Sequence, residues 1–560
     1  MNPTGTALLR TTLRRQWRPL ATGSLLGTGH QAGEAMVPVL VGVVIDRGVT
    51  TGDAGSLALW LGVLAVTFLT LSTCFRFGSR QALLAATGAE RDLRLRLAGR
   101  ILDARGGAEA GHLPGGLVSI ATSDIRRVAE VAFMVPGGIS AVVGVTVAGV
   151  ALLMMSVPLG LLVLLGTPPL LIGVQLLSGP VERRSAAQQE EAAKASGVAA
   201  DLVTGIRVLK GIGAEEHAME RYRRVSRNSL GATLATARAQ GGYEGGVLAL
   251  NGLFLALVAL VGGLLAVAGA ISVGELVSAV GLAQFLSSPM QVVGGLAAVF
   301  AVGRASAARI AGVLDAPAAV RSGGAALPAL VRGELRLAGV AESGAAGGGI
   351  DLVAVPGTVV GVVADPPTAS SLLAWLGRER DPGCGRLLLD GVPFDDVDPH
   401  ELRGAVLVSS HDAGLFAGTL RENLTAVAVG DPGEAIVAAA ADTVAAALPA
   451  GHDSAVAERG SSLSGGQRQR VALARALAAH APVLVLHDPT TAVDTVTEAR
   501  IADGVRTLRA ERTTVMVTTS PALLAVADSV VVLRDGAVSA VGTHAELLRD
   551  DADYRATVLS

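Results

Sequence analysis

A serine, two glycines and a glutamine stand together where a helix is expected to begin. The stretch Leu463–Arg470 reads Leu-Ser-Gly-Gly-Gln-Arg-Gln-Arg. Ser464 offers a hydroxyl, Gly465 and Gly466 let a ligand approach the backbone closely, and Gln467 follows them in the first turn. Because a helix N-terminus attracts anions, this pattern predicts a site that holds a phosphate group. The alternative is a glycine-containing helix start without a ligand.

Two apolar strands are predicted on either side of this stretch, and each ends at residues whose side chains could bind a ligand or take part in a reaction. Val483–Leu486 runs directly into His487 and Asp488, an imidazole beside a carboxylate. Val359–Val363 is followed by the loop Ala364-Asp365-Pro366-Pro367-Thr368-Ala369-Ser370-Ser371. These strands alternate with helical segments, which is the pattern of an α/β domain.

Composition indicates a membrane protein with a soluble part. The chain has 560 residues, of which 51% are hydrophobic and 17% charged. The long uncharged runs lie before about Val302, and the remainder has the pattern of a soluble α/β domain. A net charge of -3 gives no reason to expect nucleic acid as a partner. Cys74 and Cys384 form neither a metal-binding nor a disulfide pattern.

Several windows are long and apolar enough to cross a bilayer, which needs about 20 residues. Six are predicted as transmembrane helices: Leu20–Ile45, Ser56–Phe77, Val131–Val157, Leu159–Gly179, Gly246–Ala270 and Val273–Val302. The long segments that follow the second and fourth windows are rich in arginine, whereas the opposite loops carry little beyond Arg47. The positive-inside rule therefore predicts that both long segments, both termini and the soluble domain are cytoplasmic.

These features predict four regions along the chain. Residues 1–18 form a basic helix on the membrane surface, and residues 19–310 form a six-helix transmembrane domain whose helices extend into the cytoplasm. Residues 311–332, rich in Pro, Gly and Ala, form a linker. Residues 333–560 form a soluble α/β domain with strands expected at Thr358–Val363, Val483–Leu486, Thr514–Thr518 and Ser529–Leu533.

Six spans followed by a cytoplasmic α/β domain that carries Leu463–Arg470 resemble the ATP-binding cassette exporters of the half-transporter kind. The resemblance covers nearly the whole chain. It implies an α-helical membrane domain with six transmembrane helices plus a C-terminal α/β ATP-binding cassette, located in the cell membrane. Leu463–Arg470 matches the family's signature motif, and Ala492-Val493-Asp494 matches the loop that crosses the interface between two cassettes. Gly115–Glu130 and Leu202–Tyr222 look like its two coupling-helix regions.

The same resemblance shows where this chain departs from the family. Ala369 stands at the position of the phosphate-loop lysine, and Pro366 and Pro367 have no N–H to offer a phosphate. Thr368, Ser370 and Ser371 remain as weak phosphate or magnesium contacts. Five other family positions are changed: His487 for the magnesium aspartate, Asp488 for the catalytic glutamate, His411 for the glutamine that senses magnesium, Thr519 for the switch histidine and Gly344 for the adenine-stacking aromatic.

An intact signature beside altered phosphate and magnesium positions implies a heterodimer. In the family, two cassettes enclose two ATP molecules, each bound by the phosphate loop of one cassette and the signature of the other. The partner is therefore expected to be a second half-transporter that binds ATP and Mg²⁺ in its own motifs. Ser464, Gly465, Gly466 and Gln467 of this chain would complete that site across an interface that includes Asp494. This chain's own site is expected to be non-catalytic, without metal ligands.

Polar residues within the predicted spans are candidates for contact with substrate. His30 and Glu34 lie one helical turn apart in the first span, and Asn251 is a weaker candidate in the fifth. The alternative for the pair is simple solvation in a wet vestibule. Exporters of this kind move small molecules, peptides or lipids across the bilayer, whereas some members with the same fold import iron-loaded siderophores. A catalytically inert regulatory membrane subunit is a further alternative.

Overall fold

The structure is a computed structural model that describes residues 5–344, 348–411 and 414–559. The described chain separates into two compact units. The first comprises Met1–Ala98 and Leu113–Asp315, and the second comprises Gly99–His112 and Ala316–Ser560. The first four residues of the predicted basic helix lie outside the described residues.

The first unit is helical throughout, because its long apolar runs satisfy their backbone hydrogen bonds internally. Its helices are α1 (Gly5–Arg15), α2 (Trp17–Val44), α3 (Ala54–Ile101), α4 (Pro114–Ser119), α5 (Ile125–Met155), α6 (Val157–Thr204), α7 (Ile206–Gly211), α8 (Glu215–Val267) and α9 (Val273–Leu314). Short π-helical turns, Ile45–Val49 and Ile120–Asp124, follow α2 and precede α5. Short connections join α5 to α6 at Ser156 and α8 to α9 at residues 268–272.

Among the residues that the structure describes, five helical segments are long and apolar enough to cross a membrane: α3, α6, α8, α9 and Gly115–Met155. The helix predicted as the first span, α2, has 28 residues but is not among these five. Its apolar run is interrupted by several glycines and by His30, Gln31 and Glu34, which lower its mean hydropathy. The helix itself is nevertheless formed, and it packs against α5 and α9.

Helix boundaries in this unit follow local chemistry. Ser272 caps α9, since its side chain accepts a hydrogen bond from the Glu275 N–H (3.0 Å) while the Glu275 carboxylate accepts one from the Ser272 N–H (2.7 Å). A helix break falls at Gly205, within the predicted coupling-helix region Leu202–Tyr222, where α6 ends and α7 begins. The last helix runs on to Leu314, so residues 311–314 are helical and not part of a flexible linker.

The second unit contains a mainly parallel sheet with helices around it, which is the predicted α/β class. The strands are β1 (Leu335–Ala341), β2 (Ile350–Ala354), β3 (Val359–Val363), β4 (Cys384–Leu389), β5 (Val392–Pro393), β6 (Val406–Ser409), β7 (Gly418–Thr419), β8 (Ala455–Val456), β9 (Val483–His487), β10 (Thr513–Val517), β11 (Ser529–Arg534) and β12 (Ala537–Gly542). The central sheet has the order β12-β11-β3-β10-β9-β6, and a second, antiparallel sheet has the order β2-β1-β4-β5.

Helices of this unit connect the strands and enclose its apolar core. They are α10 (Pro366–Leu376), α11 (Pro399–Ala405), α12 (Leu420–Thr425), α13 (Gly433–Ala438), α14 (Asp442–Ala447), α15 (Gly465–Ala478), α16 (Thr495–Leu508), α17 (Pro521–Ala525), α18 (His544–Asp550) and α19 (Ala552–Leu559). Short 3-10 turns lie at Phe394–Asp396, Gly451–Asp453 and Glu458–Gly460. The strands β3, β9 and β10 are buried nearly along their whole length. Because these strands are parallel neighbours, their carboxyl ends lie at one edge of the sheet, and the candidate site residues follow them there.

Candidate nucleotide site and membrane cavity

The start of α10 is closed by a carboxylate of the chain itself. Asp365 is the residue before the helix, and its carboxylate accepts hydrogen bonds from the backbone N–H of Thr368 (3.0 Å) and from the Thr368 hydroxyl (2.8 Å). These bonds, the backbone one first, hold the pKa of Asp365 below its usual value. Pro366 and Pro367 occupy the first two helical positions and have no N–H. The N–H groups that would face a phosphate here are therefore either missing or already bonded.

The remaining side chains predicted for this loop do not converge on the helix start. Ala369 is buried in the core beneath the sheet, with 5% of its surface exposed. The Ser371 hydroxyl donates to the Glu342 carboxylate (2.8 Å) and accepts from Arg380 (2.8 Å). Ser370 is exposed on α10. Glu342 and Arg380, which sequence reasoning missed, pair at 2.6 Å and both hydrogen-bond the hydroxyl of Ser371, so that this hydroxyl is already satisfied within the chain.

A cavity of about 590 Å³ lies at the strand ends beside this loop. Its carboxylates are Asp365, Asp488 and Asp535, and its arginine is Arg534. Arg534 is already paired with Asp551 (3.0 Å), so the charged groups lining the cavity favour a cation over an anion. Tyr554 closes one side; it is fully buried, and this burial raises its pKa to about 12. The other lining residues include His487, Thr518 and Thr519.

His487 and His411 meet at the same edge of the sheet. β6 and β9 are parallel neighbours, with Ser409 paired with Leu486, so the residues just beyond them are brought together. The Nδ1 atoms of the two rings are 3.3 Å apart, and the rings lie edge to face with centroids 5.0 Å apart. Asp488 follows, with its Oδ2 at 3.7 Å from His487 Nε2. Burial, opposed by Asp488, lowers the pKa of His487, so its ring is neutral at neutral pH.

Thr519, the residue at the predicted switch position, is exposed at the cavity. Its neighbour Ser520 donates to the Glu498 carboxylate (2.8 Å), which also accepts from the Thr490 hydroxyl (2.6 Å). Glu498 lies in α16, and no sequence pattern singled it out. Through these two bonds the segment after β10 is tied to the loop after β9.

The signature stretch forms the helix start that its sequence predicts. Ser464 caps α15: its N–H donates to Gln467 Oε1 (2.9 Å), and the Gln467 N–H donates to Ser464 Oγ (3.3 Å). Ser464 is exposed, and Gly465 and Gly466 begin the helix. A positive helix end with an exposed hydroxyl and no side chains at the next two positions is suited to a phosphate supplied from outside.

The interface loop packs directly on this helix start. A Cβ on Gly466 would lie 2.5 Å from the Ala492 carbonyl oxygen, so glycine is required for the close approach. Gln469 joins the two segments, donating to the Thr491 hydroxyl (2.6 Å) and accepting from the Ala492 N–H (2.8 Å). Asp494 caps α16 through the Thr497 N–H (3.0 Å), and that hydrogen bond lowers the pKa of Asp494. Gln469 lies within the stretch singled out from sequence, but its role depended on the fold.

A second cavity, of about 400 Å³, lies within the helical unit. Its lining combines apolar groups with the polar side chains of His30, Gln31, Glu34 and Ser140. His30 Nε2 is 3.6 Å from Glu34 Oε2, while His30 Nδ1 is 3.0 Å from the Leu71 carbonyl oxygen and its ring is 5.0 Å from that of Phe75. Asn251 lies on α8 and is not among the described lining residues. The structure therefore groups His30 with Glu34 and places Asn251 elsewhere.

Two family models match the chain. The model described as ABC transporter transmembrane region matches residues 20–290, and the model described as ABC transporter matches residues 369–491. The second match begins at Ala369, immediately after the loop closed by Asp365.

Curated relatives and a solved structure agree with these models. The chain is 29% identical to the ATP-dependent lipid A-core flippase of Chromobacterium violaceum over 79% of its own length and 78% of the relative's. It is 30% identical to a multidrug efflux ATP-binding/permease protein of Mycobacterium tuberculosis over 95% of its own length, but spans only 46% of that protein. The structure of a bacterial Atm1-family ABC exporter with ATP bound superposes with a TM-score of 0.74 at 22% identity, covering 97% of this chain and 98% of the other. The predicted exporter fold is confirmed by this likeness.

Proposed function

The chain belongs to the ABC transporter family, and we propose that it is one subunit of a heterodimeric, ATP-driven transporter whose own nucleotide site is non-catalytic. The family uses ATP and Mg²⁺ to power movement of a substrate across a membrane. In this proposal the partner half-transporter binds the hydrolysed ATP, and this chain supplies the signature that covers it. The two polypeptides then alternate between inward-open and outward-open states.

The single observation that carries the proposal is the bond between Asp365 and the start of α10. A phosphate at this position would compete with a tethered carboxylate for the same N–H, and it would meet that carboxylate's negative charge. Two prolines remove further donors. Because a hydrogen bond to a charged group contributes about 1.5–3 kcal/mol, the loss of several such bonds weakens nucleotide binding by orders of magnitude.

The residues expected to perform hydrolysis at this site lack the required chemistry. Magnesium prefers oxygen ligands, whereas His487 and His411 present ring nitrogens. Asp488 has φ +43°, lies beside His487 and carries a side chain one methylene shorter than the glutamate of the family. Thr519 has no group able to take up a proton near neutral pH. We infer that none of these four residues supports turnover in this half of the complex.

The signature half is complete, which is why we propose a different chain as partner. Ser464 and the two glycines present a capped, exposed helix start, and Gln469 holds the interface loop against it. Two copies of this chain would pair each intact signature with a phosphate loop closed by Asp365. A partner with a complete phosphate loop gives one working site instead of none.

The proposal is tested by ATPase measurement on the full-length chain alone and co-purified with a candidate half-transporter that has a complete phosphate loop. The chain alone is expected to show negligible hydrolysis, and the pair is expected to be active. The double variant Ser464→Ala, Gly465→Asp in this chain should abolish the activity of the pair, while Ser461→Ala, an exposed position just before the signature, serves as the matched control. Robust hydrolysis by this chain alone would contradict the proposal. If the signature variant leaves the activity of the pair unchanged, that result would instead favour the alternative that this chain is an inert regulatory subunit.

We further propose that the transported substrate is an amphipathic molecule that contacts the cavity around His30 and Glu34. The cavity offers apolar surface from Phe75, Phe133 and Met134 together with one carboxylate and one imidazole. Relatives named as a lipid A-core flippase and a multidrug efflux protein support an amphipathic substrate and outward movement. The arginine-rich segments that follow the second and fourth apolar windows, whose arginines lie mostly in α3, α6 and α8, support a position in the cell membrane with both termini and the cassette in the cytoplasm.

A further inference from the structure

We propose that His411 and His487 form a binding site for a zinc-like transition-metal ion, in place of the magnesium that the family uses at this edge of the sheet. The inference does not depend on the heterodimer proposed above, because both residues belong to this chain and its test needs neither a partner nor ATP. It rests on two observations at the ends of β6 and β9: the spacing of two nitrogen atoms and the carboxylate beside one ring.

The spacing of the two Nδ1 atoms is that of two ligands on one ion. They lie 3.3 Å apart. Two zinc–nitrogen bonds of about 2.0–2.1 Å at the tetrahedral angle place their nitrogens about 3.4 Å apart. The rings meet edge to face at 87° and do not stack, so their contact is made by the nitrogen atoms and not by the ring faces alone. His411 is exposed and His487 keeps 17% of its side chain accessible, which leaves a route for the ion.

The carboxylate of Asp488 orients the proton of His487 for this role. Its Oδ2 lies 3.7 Å from Nε2, whereas the contact with His411 is made through the other ring nitrogen, Nδ1. A negative charge at that position favours the tautomer with the proton on Nε2 and leaves Nδ1 with a free lone pair. Metal-binding histidines in proteins are oriented by carboxylates in the same manner.

The donor set selects the class of ion. Imidazole nitrogens suit zinc, copper, nickel and iron, whereas magnesium requires near-octahedral oxygen ligands. Among the residues that the structure describes, no group of three or more His, Cys, Asp or Glu side chains forms a metal cluster. The two rings therefore provide two protein ligands, and water completes the coordination. The adjacent carboxylates Asp365, Asp488 and Asp535 add a favourable field for a cation.

The test is a Zn²⁺ titration of the full-length chain, purified with a histidine-free tag, stripped with a chelator and read out by a fluorescent zinc indicator. We expect one bound equivalent whose affinity falls at least tenfold in His411→Ala and in His487→Ala. His400→Ala, an exposed histidine of the same unit, should leave the affinity unchanged. Millimolar Mg²⁺ should not displace the ion, and Co²⁺ should give a visible absorption band that both ligand variants lose.

Two results of this titration would overturn the proposal. Absence of stoichiometric binding would mean that the contact is only a hydrogen bond between the two rings. Binding that survives both histidine variants would place the ion elsewhere. Because His411 is exposed, His411→Ala is not expected to unfold the cassette, and its thermal midpoint verifies this independently of metal. Asp488→Asn keeps both ligands and should weaken binding less than either ligand variant.

Discussion

The carboxylate of Asp365 occupies the hydrogen-bonding position at the start of α10, accepting from both the N–H and the hydroxyl of Thr368 at 3.0 and 2.8 Å. A residue within the chain thus supplies the negative charge that a helix N-terminus attracts. The N-terminus of α15, in contrast, is capped by the neutral side chain of Ser464, which is exposed. This contrast between two helix starts in one cassette is the physical basis of the asymmetry proposed for the complex.

Restoring a lysine at Ala369 alone should not restore nucleotide binding. Ala369 is 5% exposed and packed in the core, and Asp365 still bonds to Thr368 beside it. Photo-crosslinking of azido-ATP to the full-length chain should give the same weak labelling for the wild type and for Ala369→Lys. A combined variant, Asp365→Gly, Pro366→Ser, Pro367→Gly and Ala369→Lys, should label at least tenfold more strongly. Strong labelling of the single variant would contradict the role assigned to Asp365.

Gly466 should tolerate a methyl group less well than Gly465. A Cβ at Gly466 meets the Ala492 carbonyl oxygen at 2.5 Å, whereas a Cβ at Gly465 meets only the Ala492 side chain at 3.2 Å. Gly466→Ala must displace the interface loop, at a cost of about 1–3 kcal/mol. The thermal midpoint of the purified chain should therefore fall more for Gly466→Ala than for Gly465→Ala. Equal thermal midpoints for the two variants would show that the interface loop can move away from the helix without a loss of stability.

Removing Gln469 should loosen the interface loop without touching the signature residues themselves. Its amide makes two hydrogen bonds, to Thr491 and to the Ala492 N–H, and each contributes about 0.5–1.5 kcal/mol. Gln469→Ala should lower the ATPase rate of the heterodimer several-fold. Gln467→Ala, in contrast, removes a hydrogen bond of the capping box at the start of α15 and leaves the contact with the loop in place. Limited proteolysis should show faster cleavage within residues 490–494 for Gln469→Ala. Unchanged cleavage would mean that other contacts hold the loop.

The cassette should lose stability as the pH falls through the usual range of histidine. Burial lowers the pKa of His544, whose Nδ1 is 2.7 Å from the hydroxyl of the fully buried Tyr554. Below its ordinary pKa of 6.5, the unfolded chain binds a proton that the folded chain resists, so stability rises with pH and is complete above that value. Thermal midpoints measured from pH 5.5 to 7.5 should have a shallower slope in His544→Gln than in the wild type. The exposed His400→Gln should keep the wild-type slope.

Substrate contact should depend on Glu34 and His30 and not on Asn251. The first two line the membrane cavity together, whereas Asn251 lies on α8 outside its described lining. With the reconstituted heterodimer, Glu34→Gln and His30→Gln should each raise the KM for an amphipathic substrate about tenfold. Asn251→Ala should change it less than twofold. A larger effect at Asn251 than at Glu34 would place the substrate path elsewhere.

The sequence by itself determined the class of the protein, because its signals are local. Long apolar runs and their arginine-rich flanks predicted the membrane helices, and Leu463–Arg470 carries its own capping residues within four positions. Four predicted strands agree with β3, β9, β10 and β11 to within one residue. The first span was the exception among the membrane helices, since its polar residues weaken the apolar signal that the other spans carry.

Only the tertiary structure decided how distant side chains meet. His411 and His487 are 76 positions apart and become neighbours because β6 and β9 pair in parallel. Gln469 hydrogen-bonds the loop at Ala492, and Glu342 and Arg380 hydrogen-bond the hydroxyl of Ser371. Residue spacing in the sequence predicts neither contact. Asn251 was grouped with His30 and Glu34 by polarity alone, and helix packing separates it from them. Periodicity specifies an element and its buried face, whereas the meeting of two side chains depends on how whole elements pack.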